Sequence, residues 1–366
     1  MPNMTDYLKW RGDLSFEQDP FNEVDNIILS FLSYSDFSNI VYGPDLSEKT
    51  SLEEAYKKYF AFYSREDILT HKSSTGVAPF VMDDMVNAPR YEDLYLTGYV
   101  DEIVKEEDSQ FSVTTFILPD NTYYVAFRGT DSTIIGWKED INMGYLYQTP
   151  GQKKAAKYLD DNFKDLDCKI IVGGHSKGGN FAVYASSFCD SSVQDKIIRV
   201  YSNDGPGFRK EITKMPGYKR ILPKIISYVP DESIVGMLLV NDTKPIVIKS
   251  SAGGINQHNP LSWQVERNGF VKCNRLSDKS ILLDETITNW LNELDDAERK
   301  RFIDSLFQPF DDAKIDSIDE LGGASPDNLR RLYKSFNNLS EEQHMVLKDT
   351  ATKFINSAFD TLKPKK

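Results

Sequence analysis

Residues 168–186 read Cys168-Lys169-Ile170-Ile171-Val172-Gly173-Gly174-His175-Ser176-Lys177-Gly178-Gly179-Asn180-Phe181-Ala182-Val183-Tyr184-Ala185-Ser186. An apolar, β-branched run of strand length meets Gly-His-Ser-Lys-Gly-Gly, and a run that suits a helix follows. This is GxSxG in the context that gives it meaning: strand, tight turn, helix. A serine at such a turn sits in a strained backbone conformation, and bulk beside it would strike the neighbouring strand or helix. Small residues at Gly174 and Gly178 relieve that collision. The helix starting beneath Ser176 aims backbone N–H groups and a positive dipole end at developing negative charge. Ser176 is therefore the candidate nucleophile. A glycine-rich phosphate-binding turn is the competing reading.

Outward from this elbow, short apolar runs bounded by Gly, Pro or Asp recur at 197–202, 224–229 and 245–250, with helical stretches between some of them. That alternation predicts a mostly parallel sheet with helices on its faces. Upstream, 95–104, 111–118 and 122–128 are rich in β-branched and aromatic residues, and Pro119-Asp120-Asn121 supplies a turn, so antiparallel neighbours are expected there. A helix is expected at about 153–164. Before residue 75 the pattern turns helical: Val24, Ile27, Ile28, Phe31 and Leu32 share one face, and Ser51-Leu52-Glu53-Glu54 has capping-box form. Beyond 276, Ile287, Trp290, Leu291 and Leu294 form a helical stripe. Ser325-Pro326 and Ser340-Glu341-Glu342-Gln343 start two more helices, the second running to about Leu362. The terminal Lys363-Pro364-Lys365-Lys366 reads as a frayed tail. The expected fold is an α/β-hydrolase core over 76–275, with a helical region at 1–75 and a helical appendage at 276–366.

A serine hydroxyl needs a base, and the chain has four His. His71 precedes the serine, His175 lies inside the elbow with its side chain expected to point away, and His344 sits on a polar helical stretch. His258, in a Gly-rich loop after the run at 245–250, fits the order serine, acid, histidine. For the acid, Asp231 is chosen because Val229-Pro230-Asp231-Glu232 follows a strand between Ser176 and His258. Glu232, Asp204 and Asp242 remain alternatives. One oxyanion donor is expected from the N–H of Lys177. The second is expected from the loop ending the strand Tyr124–Arg128.

Phe127-Arg128-Gly129-Thr130, then Trp137 and Asp140, then Gly174–Gly179 resemble the class 3 lipase family. The resemblance implies that Thr130 supplies an oxyanion donor through its N–H and its hydroxyl. A wider set of matches resembles an uncharacterised bacterial lipase-like family of the same fold. These are Trp137–Asp140, Asn203–Gly207, Ser233–Leu239 and Gln257–Trp263, and together the resemblance spans about 95–275. It implies hydrolysis of a carboxylic ester of a lipid or other acyl substrate. Thioester or amide cleavage by the same triad, and a lipase-like binding protein without turnover, are the rival readings. The apolar cluster Ile134-Ile135-Gly136-Trp137 is expected to form a flap over an acyl pocket, with filling of the core as the competing reading.

Composition narrows the rest. Lys and Arg total 43 against 56 Asp and Glu, a net charge of −13, which argues against nucleic acid as a partner. Three Cys are too few and too scattered for a disulfide framework. No HExxH, His/Cys cluster or Walker loop appears, so neither metal nor organic cofactor is expected. No long uncharged apolar run occurs and the first residues lack an apolar signal core, so a cytoplasmic protein without integral membrane association is expected. The expected partner is a small-molecule ester or lipid. The sequence leaves the oligomeric state open.

Overall fold

An eight-stranded sheet runs in simple chain order: β1 (Thr50–Ser51), β2 (Tyr95–Val104), β3 (Ser109–Ile117), β4 (Thr122–Phe127), β5 (Lys169–His175), β6 (Ile197–Asn203), β7 (Ile225–Pro230) and β8 (Ile246–Ile248). The first three pairings are antiparallel and the four from β4 to β8 are parallel. The computed structural model describes residues 1–70, 75–317, 319–322 and 326–362. His71, Ser325 and the tail at 363–366 lie outside the described residues.

Helices cover both faces, which is why the central strands read as nearly continuous apolar runs. On one face α1 (Met4–Arg11), α2 (Glu23–Leu32) and α3 (Leu52–Phe62) share a core with Tyr124, Ala126, Ile171 and Tyr201. Further along the chain come α4 (Ile134–Asn142), α5 (Pro150–Phe163) and α6 (Lys177–Phe188). The last two bury the opposite face with Val125, Phe127, Val172 and Val200. Alternation along β4 thus sends Tyr124 to one core and Val125 to the other.

α2 is buried along its length from Val24 to Leu32 and is started by Asn22, which forms a capping box with Asp25. The carboxylate of Asp25 tolerates this burial because Arg90 grips it through Nε and Nη2, and the Tyr7 and Tyr91 hydroxyls donate to it as well.

The C-terminal helices are α7 (Asp278–Asn292), α8 (Asp296–Ala313), α9 (Pro326–Asn337) and α10 (Glu341–Leu362). Trp290 packs edge-on against Phe302 and Phe354, tying α7, α8 and α10 together. Ile303 and Phe307 of α8 are buried against Ile134 at the start of α4. The Ile134 N–H donates to the Asp316 carbonyl at 2.9 Å, and Thr133 bridges to Ser317. The segment 134–137 is therefore the first turn of a docked helix, capped by Thr133, and not a free flap. Ile134 joins the core, while Trp137 is exposed. Among the described residues no helix is long and apolar enough to cross a membrane.

Candidate active site

β5 ends at His175, Ser176 makes the turn, and α6 starts at Lys177. Ser176 has φ 59° and ψ −131°, a strained conformation for a side chain other than glycine. Its N–H donates to the Asn203 carbonyl at 3.0 Å, and its carbonyl accepts from Gly179 N–H at 2.9 Å. A Cβ at Gly174 would lie 2.3 Å from the Gly178 backbone, and one at Gly178 would lie 2.0 Å from the Phe127 carbonyl oxygen. The two glycines are required by close approach. Ser176 itself remains partly exposed between buried neighbours.

His258 stands on the loop after β8, and its Nδ1–H donates to Asp204 Oδ2 at 2.6 Å. Asp204 is 1% exposed. It follows β6 directly and has φ 50°, and its second oxygen accepts from the Ser233 hydroxyl and from Gly236 N–H. Such a network fixes the carboxylate in one orientation.

The acid chosen from chain order, Asp231, is not the residue beside His258. Asp231 follows β7, its carbonyl accepts from Ser277 N–H, and its buried Oδ1 finds no hydrogen-bond partner among the described residues. Glu232 has a different task. Its Oε2 accepts from Gly254 N–H at 2.6 Å and its N–H donates to Gln257, fastening the loop that carries His258. Asp242 is exposed, as is His344. Chain order alone did not separate a carboxylate after β6 from one after β7. The signal that could have done so is Ser233 and Gly236, which supply Asp204 with donors.

His175 is more than a spectator. Its Nε2–H donates to the His258 carbonyl at 2.8 Å, so Nδ1 is the acceptor for the Tyr34 hydroxyl at 3.0 Å. The two imidazole rings lie 4.5 Å apart. Burial, and then the neighbouring His258, holds the His175 pKa well below the usual histidine value. The ring stays neutral and braces the loop.

The Arg128–Thr130 turn abuts the elbow: a Cβ on Gly129 would lie 3.0 Å from Ser176 Cβ and 2.5 Å from the His175 carbonyl. The Thr130 hydroxyl donates to Asp140 Oδ2 at 2.6 Å. This differs from the expectation that the hydroxyl points its proton at an oxyanion, because a carboxylate already holds that proton. Burial pushes the Asp140 carboxyl up to about 6, against the pull of Lys177 and the Thr130 hydroxyl. The Lys177 ammonium turns inward, 2.9 Å from Gln110 Oε1 and 3.3 Å from Glu139 Oε2. Among the described residues no group of three or more His, Cys, Asp or Glu is placed to hold a metal ion.

A family model described as Mbeg1-like matches residues 85–308, more than half of the chain and all of the elements just described that surround Ser176 except α2. Among solved structures, the crystal structure of M37 lipase is similar, with 16% identity and a TM-score of 0.35. That match covers 58% of this chain and 68% of the other. No curated protein matches.

Proposed function

Given that the chain belongs to the Mbeg1-like family, a lipase-like group with an α/β-hydrolase fold, we propose that it is a serine hydrolase cleaving carboxylic esters of lipids or other acyl substrates. The observation that carries this reading is the strained serine at the strand–helix turn, together with a histidine, packed against the preceding His175, whose Nδ1–H is fixed on a buried carboxylate. In the proposed mechanism Ser176 attacks the ester carbonyl and His258 takes its proton through Nε2. Asp204 keeps the proton on Nδ1 and stabilises the imidazolium. The N–H groups of Lys177 and Thr130 receive the oxyanion. His258 then protonates the leaving alkoxide, and water, activated in the same way, releases the acid from the acyl-enzyme. Asp204 takes the role that chain order gave to Asp231.

A fluorophosphonate probe tests the reading. Wild-type protein should be labelled at Ser176 and Ser176→Ala should not, with kcat on p-nitrophenyl esters reduced by about 10⁴-fold or more. Labelling at another residue, or none at all in folded wild-type protein, would refute it. Graded acyl chains, thioesters and amides in the same assay identify the preferred substrate class.

A further inference from the structure

Lysine is seldom fully buried, and the first residue of a helix is an unfavourable place for a cation. Lys177 is both, at 1% exposure on the first turn of α6. Among the described residues its only carboxylate within ion-pair range is Glu139, which is 0% exposed. A methionine could fill comparable space without desolvating a charge, so packing alone does not account for a lysine here.

The network around this pair reaches four elements. Glu139 lies on α4. Its Oε2 also accepts from Gln110 N–H on β3, and its Oε1 accepts from Gly151 N–H at the start of α5, at 3.0 and 2.9 Å. Lys177 connects α6 to that hub. The next residue on α4, Asp140, holds the Thr130 hydroxyl. One side chain therefore links the helix whose first N–H is a proposed oxyanion donor to the helix that fixes the other donor.

We infer that the Lys177 side chain is a positioning residue, locking the two oxyanion donors together through Glu139 and supplying the fixed positive charge that balances the carboxyls behind them. This rests on the serine hydrolase reading above. The ammonium faces Glu139 and Asp140 from α4, Gln110 from β3 and the Phe181 ring from α6. Asp140 in turn feels Glu139 and His258, and Tyr34 feels Asp140 from the α2 side. Arg128 is separately occupied by Asp101 and Asp131. Removing Lys177 would ease protonation of Asp140. Removing the Glu139 charge would do the reverse.

The test is the pH profile of p-nitrophenyl ester hydrolysis, with fluorophosphonate labelling rates, for wild type, Lys177→Met and Glu139→Gln. Lys177→Met should lower kcat by about 10- to 100-fold with KM within about threefold. Its acidic limb should rise by about half a pH unit or more. Glu139→Gln should move that limb downward. A purely structural pair would lower activity without opposite displacements. Limbs that stay in place or move together in folded variants overturn the inference. If Lys177→Met fails to fold, Glu139→Gln decides, and an unmoved limb in it is sufficient for rejection. Unlabelled wild type removes the hydrolase reading and this inference together. Labelled wild type with unmoved limbs removes only the inference.

Discussion

Asp204 Oδ2 accepts the Nδ1–H of His258 at 2.6 Å, although 54 residues separate the two in the chain. Asp204 directly follows β6, one strand beyond β5, and its left-handed backbone turns the carboxylate toward the His258 loop. Replacing it by Asn should invert the preferred imidazole tautomer and lower kcat by about 10³- to 10⁴-fold, leaving the fold intact. Asp231→Asn should keep kcat within about threefold, because its carboxylate does not reach the ring. Steady-state kinetics on both variants check this. Equal losses in the two would return Asp231 to the mechanism.

The loop proposed to carry an oxyanion donor makes a second prediction. Thr130→Val removes the hydroxyl that Asp140 Oδ2 accepts, while the backbone N–H stays. Loss of that hydrogen bond raises the Asp140 pKa above its value of about 6. The expected result is a kcat reduced by about tenfold and more sensitive to acidic pH, with Thr130→Ser close to wild type. A loss of about 10²-fold or more at alkaline pH, where Asp140 is ionised in every variant, would instead show direct donation by the hydroxyl.

The sequence carried the parts of this site that depend on local chemistry. Gly174, Ser176 and Gly178 announce an elbow because only a few residue types tolerate its backbone, and Gly129 and Thr130 end a recognisable strand. Long-range partners were less legible. Asp204 and Asp231 both follow strands between Ser176 and His258, and what separates them is Ser233 and Gly236, which fold back on Asp204 from the far side of β7. His175 looked dispensable because its partners, Tyr34 and the His258 carbonyl, are 141 and 83 residues away. The Lys177–Glu139 pair left no pattern, since neither residue type signals burial.

His175 predicts a pH dependence of stability. Its folded pKa lies well below the ordinary 6.5, so its contribution is complete above that value and is lost as pH falls and the unfolded chain takes up a proton. Asp140 acts in the opposite sense. Its carboxyl is raised from 3.8 to about 6, so its contribution is complete below 3.8 and is lost as pH rises through about 6. The two partly cancel below pH 6, and single variants separate them. Denaturant titrations from pH 8 to 5 should show His175→Gln losing less stability on acidification than wild type, by up to about 1.4 kcal/mol per pH unit, the value of one proton. Asp140→Asn should steepen the acid loss. Parallel pH curves for all three proteins would show that neither group titrates as its surroundings dictate.

One contact between the C-terminal appendage and the elements around Ser176 is apolar. Ile134, the first residue of α4, is buried with Ile303 and Phe307 of α8, and its N–H is held by the Asp316 carbonyl. Thr130 is four residues upstream, so the position of α4 sets the far end of the loop proposed to carry an oxyanion donor. Phe307→Ala should open a cavity at this contact and destabilise the protein by about 3 kcal/mol, with Phe307→Leu losing less. Because α4 also carries Glu139 and Asp140, loosening it should slow fluorophosphonate labelling of the folded fraction by several-fold, about 0.6 to 1.4 kcal/mol of barrier. Thermal melts and labelling rates well below the transition read the two effects separately. A lowered melting temperature with an unchanged labelling rate would confine α8 to a structural role and detach the appendage from the chemistry.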